Sequence, residues 1–194
     1  MPFLSFLLFV VVSSFTPGPN NIMAMAFANQ IALKRSLIFC AGVGGGFFVI
    51  TLLCTVFNLL LTNLLPVIET PLMIFGAAYM LYLAYKILTS NSQSRDQAAV
   101  HKNLFWIGAL MQFINPKGIL YSIAVVATYI LPYYSTYFSY FMFAVALGFV
   151  GFLSTFSWSL FGSLFQSFIS KHRKPFNIIM ALLLVYCAIS IIYP

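Results

Sequence analysis

A helix-breaking hexapeptide, Thr16-Pro17-Gly18-Pro19-Asn20-Asn21, interrupts a long apolar segment running from about residue 3 to residue 31. Its two prolines remove backbone donors and clash with the preceding turn, Gly18 loosens what remains, and the asparagines add amides that hydrocarbon does not solvate. A helix has to open here. In a bilayer, opened backbone persists only where protein or a water-filled cavity covers it, so the hexapeptide is expected to line the interior of a helical bundle.

A bilayer is required because 62% of residues are hydrophobic and 6% charged, whereas soluble domains carry roughly 25% charged and about 45–50% apolar residues. The 194 residues leave no room for a large second domain, so one membrane domain over 1–194 is expected. The net charge of +7 comes from basic residues spread over several loops with no contiguous basic face. It points to the lipid bilayer as partner and away from nucleic acid. A cleaved signal peptide would need a basic leader and a small-residue cleavage site, which Met1-Pro2-Phe3-Leu4 and Phe15-Thr16-Pro17 do not supply; the segment is read as a retained helix.

Five further spans are expected at about 37–61, 71–88, 104–130, 138–165 and 176–193, each near or above the ~20 residues that a bilayer demands. Lys34 and Arg35 mark the first turn-round, and a loop at 62–70 holds Pro66 and Glu69. A polar connector at 89–103 holds Arg95, Asp96, His101 and Lys102, and an aromatic turn begins at Pro132. Lys171-His172-Arg173-Lys174 closes the fifth span. Tyr79, Tyr82, Tyr85 and Lys86 resemble an interfacial anchor. Gly42 and Gly46, with Gly44 and Gly45 beside them, have the spacing that brings helices close, and Gly148, Gly151 and Gly162 are further packing candidates. Six spans is the count adopted; the rival is five, with the first segment re-entrant or removed.

Eight of the nine basic residues follow the first, third and fifth helices, which makes those loops cytoplasmic and puts both termini outside, periplasmic in a bacterium. Three helices per half then make the halves inverted: repeat one at about 1–90, a cytoplasmic connector at 90–103, repeat two at 104–194. The fourth span carries a second break, Asn115-Pro116-Lys117-Gly118, and Pro116 lies 97 positions after Pro19, half the chain length. The expected fold is therefore an all-α integral membrane protein of six transmembrane helices, two inverted three-helix repeats with the first and fourth helices broken at proline. Secondary transporters place their binding site near the midplane between such breaks.

Lys117 is the ninth basic residue and falls near the middle of the fourth span. About a dozen residues, nearly 20 Å of helix, separate it from either end, beyond the reach of a snorkelling lysine. A charge at that depth reads as functional. The two acids, Glu69 and Asp96, read as loop residues, which leaves carbonyls freed at the Pro-Gly-Pro break, water, or a substrate carboxylate as partners. Lys117 and the broken helix N-termini would attract an anionic group, and Asn20, Asn21 and Asn115 an ammonium, which suits a small zwitterion. The candidate substrate-binding or gating set is Pro17, Gly18, Pro19, Asn20, Asn21, Asn115, Pro116 and Lys117. With no carboxylate expected inside the membrane, Lys117 is also the candidate carrier of a coupled proton.

Thr-Pro-Gly-Pro-Asn at 16–20, Phe-Gly-Ala-Ala-Tyr-Met-Leu-Tyr-Leu-Ala-Tyr-Lys at 75–86 and Asn-Pro-Lys at 115–117 resemble the lysine-exporter/threonine-exporter superfamily of amino-acid efflux proteins. The stretch 177–188, Asn-Ile-Ile-Met-Ala-Leu-Leu-Leu-Val-Tyr-Cys-Ala, is similar to the cysteine/O-acetylserine exporter branch. Tyr85 departs from the tryptophan of many relatives. The resemblance implies export of a small amino-acid substrate, cysteine and O-acetylserine first, across the bacterial inner membrane, driven by the proton gradient and without a cofactor. Export of another neutral or basic amino acid and a passive channel are the alternatives. A membrane thiol-disulfide oxidoreductase ranks last, because Cys40, Cys54 and Cys187 form no Cys-x-x-Cys and lie outside the broken helices; they read as buried structural thiols. No catalytic residue and no metal site is expected, His101 and His172 being isolated loop histidines. The glycine-rich second and fifth helices could pack internally or across a homodimer.

Overall fold

A computed structural model of the chain describes residues 1–89 and 103–192, and every regular element among them is helical. In chain order these are α1 (Phe3–Phe15), α2 (Pro19–Ile31), α3 (Leu33–Val56), α4 (Asn58–Thr89), α5 (Leu104–Ile114), α6 (Pro116–Val125), a π-helical turn (Val126–Ile130), α7 (Tyr137–Leu164), α8 (Gln166–Lys171) and α9 (Arg173–Ile192). Among the described residues α3 and α7 are long and apolar enough to cross a membrane by themselves, and the count rises to four if each bent pair is one span.

Both bends are built from the same local chemistry. Thr16 and Asn115 are extended, at φ −65°, ψ 153° and φ −80°, ψ 104°, because each precedes the break and a proline follows at once. Pro19 and Pro116 then open α2 and α6 at the first helical position, where a missing N–H costs nothing. The helix axes turn by 49° between α1 and α2 and by 67° between α5 and the helix that follows. The first break leaves residues 16–18 outside either helix; the second leaves only Asn115.

Glycine brings the helices together. Cβ atoms at Gly42 and Gly108 would run into the backbones of Phe105 and Phe39, so α3 and α5 touch backbone to backbone, and Gly162 of α7 sits on the carbonyl of Met25 in the same way. Close packing is thus the role of Gly42 and Gly162, as their spacing suggests. Helix α3 packs along α5 and α7, α2 against α7 and α3, and α4 along α9. The outer surface is apolar, with Phe3, Phe75, Trp106, Phe138 and Leu182 exposed, while Asn20, Asn21, Gln112, Asn115 and Ser154 are buried. Polar inside and apolar outside is the distribution of a multi-pass membrane protein.

Several expected boundaries move. Lys34 and Arg35 lie in the first turn of α3, and the chain breaks at Ala32, whose φ of 74° no glycine relieves. The loop expected at 62–70 is helical: α3 ends at Phe57, where φ −99° and ψ 19° leave the helical range, and α4 continues through Pro66 and Pro71. Membrane helices absorb prolines, and no glycine or proline announces the real break at Phe57. Tyr82 and Tyr85 are exposed as an anchor would be, but Tyr79 packs against the clusters around Met25 and Phe39. A three-residue step drifts about 60° around a helix, which carries Tyr79 off the outer face. The connector residues Arg95, Asp96, His101 and Lys102 lie outside the described residues.

Candidate functional site

The broken helices meet each other, and the opened backbone of the first is covered by side chains from three other elements. Every carbonyl from residue 12 to residue 18 has a donor. Thr16 N–H serves Val12 at 3.1 Å, the Thr16 hydroxyl serves Ser13 at 3.2 Å, and Ile22 N–H serves Gly18 at 3.0 Å. The Ser14 carbonyl accepts from Asn21 Nδ2 at 2.9 Å and from the Ser154 hydroxyl of α7 at 2.6 Å. Trp158 Nε1, one turn on, donates to Phe15 O at 3.1 Å. The Thr16 carbonyl accepts from Asn21 Nδ2 at 2.9 Å, and Cys187 of α9 donates its thiol to Pro17 O at 3.3 Å. A helix break inside a membrane protein is tolerable on such terms, since each orphan would cost several kcal/mol.

Lys117 completes this set. It stands in the first turn of α6, and its Nζ donates to Thr16 O at 3.2 Å, Thr16 Oγ1 at 2.9 Å and Pro17 O at 3.2 Å. Freed carbonyls of the Pro-Gly-Pro break are therefore its partners in this structure, and its side chain stays half-buried. Gly18 makes the approach possible. A Cβ there would lie 3.2 Å from Lys117 Cδ and 3.3 Å from Nζ, although its φ of −172° suits any residue. A second link joins the breaks in the other direction: Asn20 Nδ2 donates to Gln112 Oε1 at 2.8 Å, and Gln112 Nε2 is tied to Gly108 O at 2.9 Å.

Gly18, Asn20, Asn21, Asn115 and Lys117 line one cavity of about 30 Å³. A water needs about 10–15 Å³ on this measure, so the space holds two or three waters and no amino acid. The side-chain oxygens of Asn20 and Asn115 are buried with no hydrogen-bond partner. Two bare acceptors beside an ammonium form a site that offers both a cation and cation-binding oxygens, the requirements of a zwitterion. Pro17 contributes its carbonyl, while Pro19 and Pro116 shape the breaks without lining the cavity.

Sequence reasoning did not single out Gln112, Ser154, Trp158, Phe47 or Tyr121, all of which reach the site or its covering bonds. For Ser154 and Trp158 a signal existed: with Gly151 they are small or polar positions at helical spacing in an otherwise Phe-rich helix. Cys40, Cys54 and Cys187 are buried, as structural thiols are. Cys40 is within 3.3 Å of Ser159, whose hydroxyl reaches Ala24 O at 3.1 Å. Among the described residues no cluster of His, Cys, Asp or Glu could hold a metal.

Known proteins resemble the chain over nearly its whole length. The chain is 37% identical over 190 residues to a protein named cysteine/O-acetylserine efflux protein from Salmonella typhimurium strain LT2, covering 97% of this chain and 96% of that one. It is 34% identical over 189 residues to the protein of the same name from Escherichia coli K12, again covering 97% and 96%. No solved structure matches it. The profile of the LysE type translocator family matches residues 11–194. The chain belongs to the LysE type translocator family, and is a transporter and not an enzyme.

Proposed function

We propose that the protein exports small amino acids, cysteine and O-acetylserine foremost, across the bacterial inner membrane, with Lys117 and the two facing breaks as its substrate site. The observation that carries this reading is the ammonium of Lys117 held on the Thr16 and Pro17 oxygens, where one break meets the other. In that state the site is shut on itself. A substrate carboxylate would take over the Lys117 ammonium, and the substrate ammonium would take the released carbonyls and the bare oxygens of Asn20 and Asn115. Such an exchange lets a zwitterion enter without leaving a charge unpaired. The names of the relatives supply the choice of cysteine and O-acetylserine.

Six spans in two inverted repeats follow if α1 with α2, α3, α4, α5 with α6, α7 and α9 each cross once. The like construction of the two breaks supports this, and so does the crossing of α3 and α7, where corresponding helices of the two halves meet reciprocally. A Cβ at Gly44 would lie 2.9 Å from Gly148 O and 3.1 Å from Phe152 Cβ; one at Gly148 would lie 2.8 Å from Gly44 O and 3.1 Å from Phe48 Cβ. A two-fold axis through the crossing generates that pattern. Basic loops on one side then place both termini in the periplasm. Lys117 is also the group we assign to proton coupling, and a homo-oligomer would have to form away from the glycine faces of α3 and α7, which pack on each other at Gly44 and Gly148.

The test is release of a panel of amino acids, including cysteine and O-acetylserine, from cells with and without the protein. It is paired with uptake into inverted vesicles and collapse by an uncoupler. Uphill, uncoupler-sensitive movement of the small members is expected. Flow that equilibrates and ignores the uncoupler would mean a channel, and movement of no member would overturn the assignment.

A further inference from the structure

We infer that Phe47 sets the size of the substrate side chain: its ring fills the part of the cavity where that side chain must lie and swings aside to admit it. This rests on the transport reading above. Phe47 projects from the middle of α3 into the cavity lined by Lys117 and Asn115, and is the one wholly apolar side chain in that lining. Two glycines make room for the ring. A Cβ at Gly151 of α7 would lie 2.8 Å from Phe47 Cδ2 and 3.3 Å from Cγ, and one at Gly118 of α6 would lie 3.6 Å from Cζ. Tyr121 meets the ring edge-on, with centroids 5.8 Å apart and planes at 84°.

The remaining surroundings single out this ring as the movable part. Asn20, Asn21 and Ser154 are fixed by hydrogen bonds to Gln112, Ser14 and one another, so displacing them would strand buried polar atoms. Phe47 makes only van der Waals and ring contacts, is half-buried, and packs against both the cluster around Val10 and Ile50 and the cluster around Phe39 and Val43. Rotating it exchanges one staggered rotamer for another. The space of about 30 Å³ left beside it admits no side chain, whereas a void of roughly 150 Å³ accepts a benzene-sized guest. The carboxylate and ammonium are held on the polar wall, so the third substituent falls to the aromatic wall, of which Phe47 is the wholly apolar member and Tyr121 its edge-on neighbour.

Wild type, Phe47→Ala, Phe47→Leu, Gly151→Ala and the double variant Phe47→Ala/Gly151→Ala would be compared in inverted vesicles. Rates for cysteine, O-acetylserine, leucine and phenylalanine would be normalised to the protein in the membrane. Phe47→Ala should raise the leucine or phenylalanine rate relative to cysteine by about tenfold or more, the scale on which apolar pockets discriminate side-chain size. Gly151→Ala, which drives the ring into the cavity, should slow all substrates, and removing the ring in the double variant should restore them. Unchanged substrate ratios in Phe47→Ala, or a double variant no faster than Gly151→Ala, would overturn the inference. If Phe47→Ala does not reach the membrane, Phe47→Leu keeps an aliphatic contact in both clusters and must show the same trend. A wild type that moves none of the four would instead remove the transport reading, and this inference with it.

Discussion

Replacing Lys117 with methionine separates a binding role from a structural one. The substitution keeps most of the apolar stem and deletes all three donations to Thr16 and Pro17. Bonds to a charged group contribute about 1.5–3 kcal/mol each, so the gross loss is several kcal/mol. Two effects offset it. No carbonyl is orphaned, because Thr16 O keeps Asn21 Nδ2 and Pro17 O keeps the Cys187 thiol. Part of the several kcal/mol that desolvates a fully buried ion disappears as well, Lys117 being half-buried. The net change in stability should therefore fall within about 2 kcal/mol of zero. Transport, in contrast, loses the only cation among the described residues placed to take a carboxylate in the cavity and should drop by about two orders of magnitude, as when one partner of a charge pair worth a few kcal/mol is removed. The assay pairs thermal unfolding in detergent with initial rates in inverted vesicles. A Lys117→Met protein exporting within twofold of wild type refutes the substrate role. One that is strongly destabilised refutes the partner accounting.

Three further experiments test the geometry. Gly18→Ala should leave folding intact, since its backbone is extended, but should push Lys117 off Thr16 and lower the transport rate; a normal rate would show that the 3.2 Å approach is idle. Gly42→Ala puts a methyl into the Phe105 backbone, which cannot yield, so the protein should be lost from the membrane fraction on immunoblots. A double-mutant cycle of Asn20→Ala and Gln112→Ala should give a coupling of about 0.5–1.5 kcal/mol in unfolding experiments, with strict additivity excluding the bond that joins the breaks.

The breaks were legible because proline and glycine act locally. Thr16 to Asn20 and Asn115 to Lys117 announce open helix whatever surrounds them, and the mid-span position of Lys117 announces a buried charge. What covers the break was legible only in part. Gly151, Ser154 and Trp158 fall at helical spacing on α7, but Cys187 sits on a helix that is apolar on nearly all sides, so periodicity does not reveal that it turns inward. Gln112 lies within three residues of the second break, yet only the fold shows that it reaches Asn20. The end of α3 was misplaced for the opposite reason. Pro66 and Glu69 look like a turn, whereas Phe57, an ordinary apolar residue, is where the helix stops.

The crossing of α3 and α7 has a mechanical corollary. With no methyl on either side at Gly44 and Gly148, the two rods come closest there, within a longer contact that runs from Phe48 on Phe141 to Ser36 on Ser159, so this is the point about which they tilt with least displacement. Gly148 lies eleven residues after Tyr137 and sixteen before Leu164, which gives lever arms of about 17 and 24 Å. A roll of about 5° at that point displaces the longer tip by about 2 Å. Gly151 and Ser154, which carry the floor of the cavity and one clasp of the broken helix, lie within two turns of the pivot, where the same roll moves atoms by less than about 1 Å. A tilt can thus be large at the helix ends while the cradle between them stays nearly still.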